Sequence, residues 1–169
     1  MKRRHPHPIL NRCKPRTLMQ KARTAVTKIV RVDKPPRPTK YKKVAKGLED
    51  VYSKVEVIVV NYRTLHLLKK CVNTLLHHYP EIPLLLIDNY STDGSADYVS
   101  RFARDRDHVQ ALLHHMNMGH GPAMHYAIKH LVSRPFVFTL DTDMIVHQGG
   151  FLQLMLKEMA SDNNLYAID

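Results

Sequence analysis

Two aspartates separated by one residue, Asp141 and Asp143, are the side chains of this sequence best placed to do chemistry. They directly follow the apolar run Phe136–Leu140, which has the composition of a buried strand. Both carboxylates are therefore expected at the C-terminal end of that strand, where ligands collect in open α/β sheets. Hard divalent cations such as Mg²⁺ and Mn²⁺ prefer carboxylate oxygens and often share them with substrate phosphates. The D-x-D segment is thus a candidate metal site; a polar turn in which Asp141 caps the next segment is the alternative.

The elements before the D-x-D alternate between strand and helix patterns. Apolar, β-branched runs at 56–60, 83–87 and 109–113 predict three strands. Between them, apolar residues recur at helical spacing, with Thr64 as a plausible N-cap of one helix and Pro122 at the first position of another. Such alternation predicts an α/β fold with a mostly parallel sheet and flanking helices.

A further helix is predicted after the D-x-D over 151–159, followed by the start of a strand at 165–168. We expect the part from 51 to 169 to form one domain of ordinary size.

Four short motifs occur in a fixed order within this domain: V-I-V-V-N-Y, L-I-D-N-x-S-T-D-G-S, N-x-G and L-D-x-D. Each motif is weak alone, but the four together resemble the donor half of a family 2 glycosyltransferase with the GT-A fold, over about Val55 to Met159.

The resemblance implies a site for a nucleotide-diphosphate sugar and a divalent metal, Mn²⁺ or Mg²⁺. The metal ligands would be Asp141 and Asp143, with Asp143 the more direct of the two. An aspartate can accept the N3–H of uracil or thymine and a tyrosine can pack on the base, which favours a UDP or dTDP sugar as the donor. The donor-binding residues that the resemblance implies are Asn61, Tyr62, Asp88, Asn89, Asn117, Gly119 and Asp141. A turn with local side-chain bonds at Asp88-Asn89 and simple packing of Tyr62 are the alternatives.

The sequence also departs from the family pattern. Where the family shows A-x-N-x-G, this chain has Ala123–Ala127, so that His125 takes the Asn position and the role of the segment is open. The family's inverting members place their catalytic base many tens of residues beyond the D-x-D, but only Met144 to Asp169 follow here. We therefore expect a domain that is truncated after the D-x-D region. Its catalytic residues are unknown, and whether this chain alone is an enzyme is left open.

The N-terminal part differs from the rest in charge. Residues 1–50 hold 16 of the 26 Lys and Arg and three acids, so their net charge is near +13 (16 minus 3), and the remainder is near −2. We call residues 1–50 the basic arm. An apolar stripe from Leu18 to Val30 predicts an amphipathic helix over 17–32, suited to an anionic membrane surface; a disordered basic tail or a transit peptide is the alternative. Nucleic acid is a weaker expectation, because the basic arm has no aromatic residue before Tyr41.

The remaining observations bound the class of protein. The sequence shows neither an apolar signal segment nor a run long enough for a membrane span, and its two cysteines indicate no disulfide framework. These features predict a cytoplasmic protein, peripheral on the membrane if the basic arm binds it.

A nucleotidyltransferase or a dinucleotide-binding dehydrogenase is disfavoured, because no glycine-rich loop follows the first strand. A catalytically incomplete binding or assembly protein, attached by its basic arm to membrane, nucleic acid or a complex, is the second hypothesis.

Overall fold

Strands and helices alternate along the part of the chain that the structure describes. This computed structural model describes the backbone of residues 26–30, then residues 48–161, and Ala167. The strands are β1 (Val26–Val30), β2 (Val55–Asn61), β3 (Leu84–Asp88), β4 (Val109–His114) and β5 (Phe136–Thr139). The helices are α1 (Leu48–Lys54), α2 (Leu65–His78), α3 (Ser95–Arg104), α4 (His120–His130) and α5 (Phe151–Ser161).

The strands form one sheet in the order β1-β4-β3-β2-β5. β4, β3, β2 and β5 are parallel, and β1 pairs antiparallel with β4 at the edge. The predicted α/β fold with a mostly parallel sheet is therefore confirmed. Because the four parallel strands run the same way, their carboxyl ends meet at one edge of the sheet, which we call the carboxyl edge.

Alternate residues of each central strand enter different apolar layers, as the two-residue period of a strand requires. Val57 and Val59 of β2 pack with α1, α2, α3 and α5, whereas Ile58 and Val60 pack on the opposite face with α4. Both faces of the sheet are thus covered, which explains why the central strands are apolar at almost every position. Burial on both faces fixes the strands rigidly and so fixes where their carboxyl ends lie.

Most predicted elements occur within a residue or two of their expected bounds. The strand predicted over Phe136–Leu140 and the helix predicted over 151–159 differ only at their ends, and Pro122 is the third rather than the first residue of α4. The short helix α1 was not expected from the sequence. The strand predicted at 165–168 lies outside the described residues, except for Ala167, which belongs to no element.

The amphipathic helix predicted over 17–32 is wrong at Val26–Val30, which the structure shows as β1. The five residues have the sequence V-T-K-I-V, and four of them are β-branched. Backbone pairing with β4 adds hydrogen bonds that stabilise the strand over a helix. The rest of the basic arm before residue 48 lies outside the described residues, so its membrane role stays a prediction. No described helix is both long and apolar enough to cross a membrane.

The start of α2 is capped by a residue that is distant in sequence. Thr64 occupies the N-cap position but makes no side-chain capping bond. Instead Asp93 Oδ2 accepts the N–H of Leu65 at 2.9 Å, and its Oδ1 accepts the N–H of Ser95 at 3.1 Å. One carboxylate therefore serves the first residues of both α2 and α3 and ties together the loops that follow β2 and β3.

These bonds also set the ionisation of Asp93. Burial opposes its ionisation, but the Ser95 hydroxyl and the N–H groups of Leu65 and Ser95 outweigh burial, so the pKa of Asp93 is lowered. The folded protein therefore favours the charged carboxylate, which is the form that accepts all of these bonds.

Asp93→Ala is expected to lower the free energy of unfolding by about 1–2 kcal/mol at pH 7, because two helix starts lose their capping carboxylate. Since the folded pKa of Asp93 is lowered, its contribution is present above the ordinary carboxyl pKa and is lost as the pH falls through the lowered value. Urea denaturation from pH 7 down to about pH 3 should show the two proteins converging in stability as the pH falls. Asp105→Ala, which removes an exposed acid beyond the other end of α3, is the control and should change stability by less than about 0.5 kcal/mol. Equal effects of the two substitutions would contradict the capping role.

Candidate functional site at the carboxyl edge

The predicted site residues all follow strands that end at the carboxyl edge. Asn61 is the last residue of β2, and Asp88 is the last residue of β3 directly opposite it in the register. The loop at 115–119 follows β4, and the D-x-D follows β5 after Leu140. The sheet therefore brings together residues that are up to 82 positions apart (61 to 143) in the sequence.

A buried amide–carboxylate contact lies at the centre of this edge. Asn61 Nδ2 donates to Asp88 Oδ1 at 2.9 Å and to Ser91 Oγ at 3.1 Å. Asp88 Oδ2 accepts the N–H of Ser91 at 2.9 Å, and Ser91 Oγ accepts the N–H of Arg63 at 2.9 Å. Asn61 and Asp88 are at most 1% exposed. Both oxygens of Asp88 are thus bonded within the protein, and the two loops after β2 and β3 are held against each other.

A second amide pair extends the network toward β4. Asn89 Nδ2 donates to Asn117 Oδ1 at 2.9 Å, and Asn89 Oδ1 accepts the N–H of Met118 at 3.0 Å. Asn117 Oδ1 also accepts the N–H of Gly119 at 2.8 Å. Gly119 has φ of 84°, in the region that favours glycine, and α4 begins at the next residue. The N-x-G motif thus sets the turn from the β4 loop into α4.

The D-x-D is connected to the same network through hydroxyl groups. Thr64 Oγ1 donates to Asn61 Oδ1 at 2.8 Å and is hydrogen-bonded to Thr142 Oγ1, 3.0 Å away. The D-x-D itself forms a turn in which the N–H of Met144 donates to the carbonyl of Asp141 at 3.1 Å. Because the backbone N–H of Asn89 also donates to the carbonyl of Asn61 at 2.8 Å, a connected series of hydrogen bonds runs from Asn117 through Asn89 and Asn61 to Thr142.

Side chains of α2 hold the segment that follows the D-x-D. The thiol of Cys71 donates to the carbonyl of Asp141 at 3.4 Å, and Thr74 Oγ1 accepts the N–H of Val146 at 3.1 Å. At the end of the helix, the hydroxyl of buried Tyr79 accepts the N–H groups of Gly150 at 2.7 Å and Leu152 at 3.2 Å. The position of the two aspartates is thus set by one helix as well as by the sheet.

The side chains that remain open to solvent differ from those that build the network. Tyr62, Tyr90, Asn117, Asp141 and Asp143 are exposed, whereas Asn61, Asp88 and Asn89 are buried. Tyr62 and Tyr90 lie on the loops after β2 and β3. The described edge therefore consists of a buried polar layer beneath an exposed layer of aromatic rings and carboxylates.

Sequence reasoning missed several residues of the site. Ser91, Thr64 and Thr142 link the motifs, and only the serine was visible as part of a motif, D-N-x-S. His120 was also missed: its Nε2 lies 3.6 Å from Asp141 Oδ1. Histidines are frequent in this sequence, with 12 in all, so the type alone gave no signal.

The charge of the edge is shaped by burial. Burial, and then the negative charges of Asp141 and Asp143, raise the pKa of the Cys71 thiol to about 12. Burial also lowers the pKa of His114, the last residue of β4, so its ring is neutral at pH 7 and adds no positive charge beneath the edge. The exposed aspartates therefore make the edge locally negative, which suits a cation.

The donor set of the D-x-D fits a hard divalent ion. Asp141 and Asp143 offer exposed carboxylate oxygens, the ligands that Mg²⁺ and Mn²⁺ accept. Within residues 48–161, no three or more His, Cys, Asp or Glu side chains are grouped so as to hold a metal by themselves. Any ion here would therefore need ligands from a bound substrate or water as well as from the protein.

A polar cavity of about 260 Å³ lies at the opposite, amino edge of the sheet. Its lining includes Glu56, Leu84, His108 and Arg134, and it contains none of the predicted site residues. The chemistry expected from the motifs is therefore confined to the carboxyl edge.

Asp88→Asn is expected to lower the free energy of unfolding by about 1–3 kcal/mol, because an amide has one oxygen where two are needed. Either the Asn61 amide or the Ser91 N–H would then face an NH₂ group in a buried site. Chemical denaturation measures the loss. Asp141→Asn makes the same chemical change at an exposed position and should change stability by less than about 0.5 kcal/mol. An Asp88→Asn protein as stable as wild type would show that the carboxylate does not hold both loops.

Cys71 is expected to resist iodoacetamide in the folded protein at pH 8. With a pKa of about 12, only about one thiol in 10⁴ is in the reactive thiolate form at that pH. In denaturant the residue should be alkylated at the rate of an ordinary thiol. Peptide mass mapping distinguishes Cys71 from Cys13, and rapid native labelling of Cys71 would contradict both its burial and its raised pKa.

Comparison with solved structures identifies the fold. The mannosyltransferase PcManGT from Pyrobaculum calidifontis, solved in complex with GDP-Man and Mn²⁺, matches with a TM-score of 0.57 and 23% identity, over 63% of this chain and 32% of that chain. TarS from S. aureus (residues 1–349) matches with a TM-score of 0.50 and 23% identity, over 64% of this chain and 31% of that one. At these identities the likeness shows the fold, which is the GT-A fold expected from the motifs. This chain spans about a third of the length of each of these two structures.

The family is shown by the sequence itself. No curated protein matches the chain. The profile described as Glycosyl transferase family 2, however, matches residues 56–169, which is more than half of the 169 residues and includes all four motifs. The chain belongs to glycosyl transferase family 2.

Proposed function

We propose that this chain binds a nucleoside-diphosphate sugar at the carboxyl edge, with a divalent metal at the D-x-D, for transfer of the sugar to an acceptor. The observation that carries the proposal is the continuous hydrogen-bonded chain from Asn117 through Asn89, Asn61 and Thr64 to Thr142. It joins the four motifs into one structure and leaves exposed aromatic and carboxylate groups above it. Membership of the glycosyl transferase family supports sugar transfer as the reaction.

The residues have two proposed roles, divided by exposure. The buried residues Asn61, Asp88 and Asn89 act by holding the loops in place. Tyr62, 39% exposed at the mouth of β2, is proposed to pack on the base, and Asn117 and Gly119 to lie along the donor. Because Asp88 is 1% exposed with both oxygens bonded, its effect on the nucleotide is expected to pass mainly through the loops that it holds.

A divalent ion is proposed because of the charge at this edge. A diphosphate would be repelled by Asp141 and Asp143 unless a cation lay between them, and both aspartates offer oxygens of the right type. When bound, such an ion neutralises charge that develops on the departing diphosphate. The complex of PcManGT with GDP-Man and Mn²⁺ makes Mn²⁺ a reasonable first choice. The protein's own part is to hold the two aspartates in a fixed turn beside Thr142.

The nucleotide is proposed to be UDP or dTDP, as the sequence indicates, although PcManGT was solved with GDP-Man. Acceptor and catalytic base are not assigned by the described residues. The proposal therefore concerns donor binding by this chain.

Calorimetric titration of UDP, dTDP and GDP with Mn²⁺ or with EDTA tests the proposal. UDP or dTDP is expected to bind at least about tenfold more tightly with Mn²⁺, a difference of about 1.4 kcal/mol. Asp143→Asn should remove this dependence. Asp107→Asn, an exposed acid at the amino edge, is the matched control and should behave like wild type. Binding that is the same with and without EDTA would overturn the metal assignment. Tighter binding of GDP than of UDP or dTDP would overturn only the choice of nucleobase.

A further inference from the structure

We propose that His120 is a further ligand of the metal, next to Asp141, and that it makes the site prefer Mn²⁺ to Mg²⁺. The inference rests on the proposed function, because it concerns the same ion. His120 Nε2 lies 3.6 Å from Asp141 Oδ1, and both side chains are more than half exposed. Within residues 48–161, neither side chain makes a hydrogen bond to another residue, and the contact between them is an ion-pair contact only.

The fold fixes His120 at this place. It is the first residue of α4, directly after Gly119, whose N–H is held by Asn117 Oδ1. Three and seven residues later on the helix are Ala123 and Ala127, which are fully buried against the sheet. Residues at this spacing share one face of a helix, so His120 extends the sheet-facing side of α4 to the carboxyl edge. Its backbone is thus held by the same network as the D-x-D.

The separation of the two atoms suits a shared ion. Adjacent ligands of an octahedral ion with bonds of about 2.1 Å lie about 3 Å apart. The Nε2–Oδ1 separation of 3.6 Å needs only a small side-chain rotation to reach that value, and both side chains have room to rotate because they are exposed. The remaining positions are left for phosphate oxygens and water, because His120, Asp141 and Asp143 are not grouped closely enough to hold an ion by themselves.

An ion pair alone is a weak explanation of the contact. Exposed pairs at such distances contribute little to stability, and α4 is already held by Ala123 and Ala127. A nitrogen ligand, by contrast, has a chemical consequence. Imidazole suits transition ions, whereas Mg²⁺ prefers oxygen ligands, so a histidine shifts the preference of a carboxylate site away from Mg²⁺.

Electron spin-echo envelope modulation of bound Mn²⁺ tests the proposal directly. The full chain with Mn²⁺ and UDP is expected to show ¹⁴N modulation from a coordinated imidazole. The signal should disappear in His120→Ala and persist in His125→Ala, which removes an exposed histidine of the same helix. Because His120 is exposed, the variant is expected to fold, and circular dichroism checks this.

Affinity measurements provide a second readout. His120→Ala should bind Mn²⁺ about tenfold more weakly, with a change of less than about twofold for Mg²⁺. His120→Asp replaces the nitrogen with an oxygen ligand and should bring the Mg²⁺ affinity close to the Mn²⁺ affinity. A larger loss for Mn²⁺ than for Mg²⁺ in His120→Ala, and similar affinities for the two ions in His120→Asp, would both support the inference.

The contrary outcomes separate the two proposals. If Mn²⁺ binds with UDP but shows no ¹⁴N modulation, or if the modulation survives His120→Ala, the histidine is not a ligand and the proposed function stands. If wild-type protein binds UDP without any dependence on metal, the metal part of the proposed function fails and this inference fails with it.

Discussion

The contact between the side chains of Asn61 and Asp88 is the interaction on which the rest of the site depends. A carboxylate that is 1% exposed is costly to bury unless its oxygens are bonded, and here the bonds come from the neighbouring parallel strand and from the next loop. Because Asn61 and Asp88 are directly opposite in the register, the bond forms only if β2 and β3 pair correctly. Correct strand pairing and correct loop placement are therefore the same event in this fold.

The site separates rigidity from access. The buried amides, hydroxyls and Asp88 bond to one another and to backbone N–H groups, so little of their hydrogen-bonding capacity is turned toward solvent. The exposed residues, including Tyr62, Tyr90 and Asp141, make few bonds of their own and remain available. Preorganised polar layers of this kind keep loops fixed without ligand, so that a donor need not supply the free energy to order them.

The sequence predicts the strands and the order of the motifs well, because both depend on local composition. Prediction from the sequence fails where a contact between residues far apart in the sequence determines the local structure. The segment at 26–30 has a helical stripe of apolar residues, but pairing with β4 makes it a strand. Thr64 has the right type for a helix cap, yet Asp93 is brought beside Leu65 by the fold and makes that bond. The contact of His120 with Asp141 likewise joins the start of α4 to the loop after β5, and no spacing in the sequence predicts it.

The two α2 side chains and the adjoining Tyr79 that hold the segment after the D-x-D also relate the length of the helix to the length of the loop. Cys71, Thr74 and Tyr79 are spread over about 12 Å of the helix axis and bond to the backbone of Asp141, Val146 and Gly150 in the same order. One residue inserted into α2 between Thr74 and Tyr79 would turn the tyrosine by about 100° about the axis and move its hydroxyl away from Gly150. Lengthening the loop could not restore that bond, since the error is one of direction and not of reach. Insertions should therefore be excluded from the stretch between Cys71 and Tyr79.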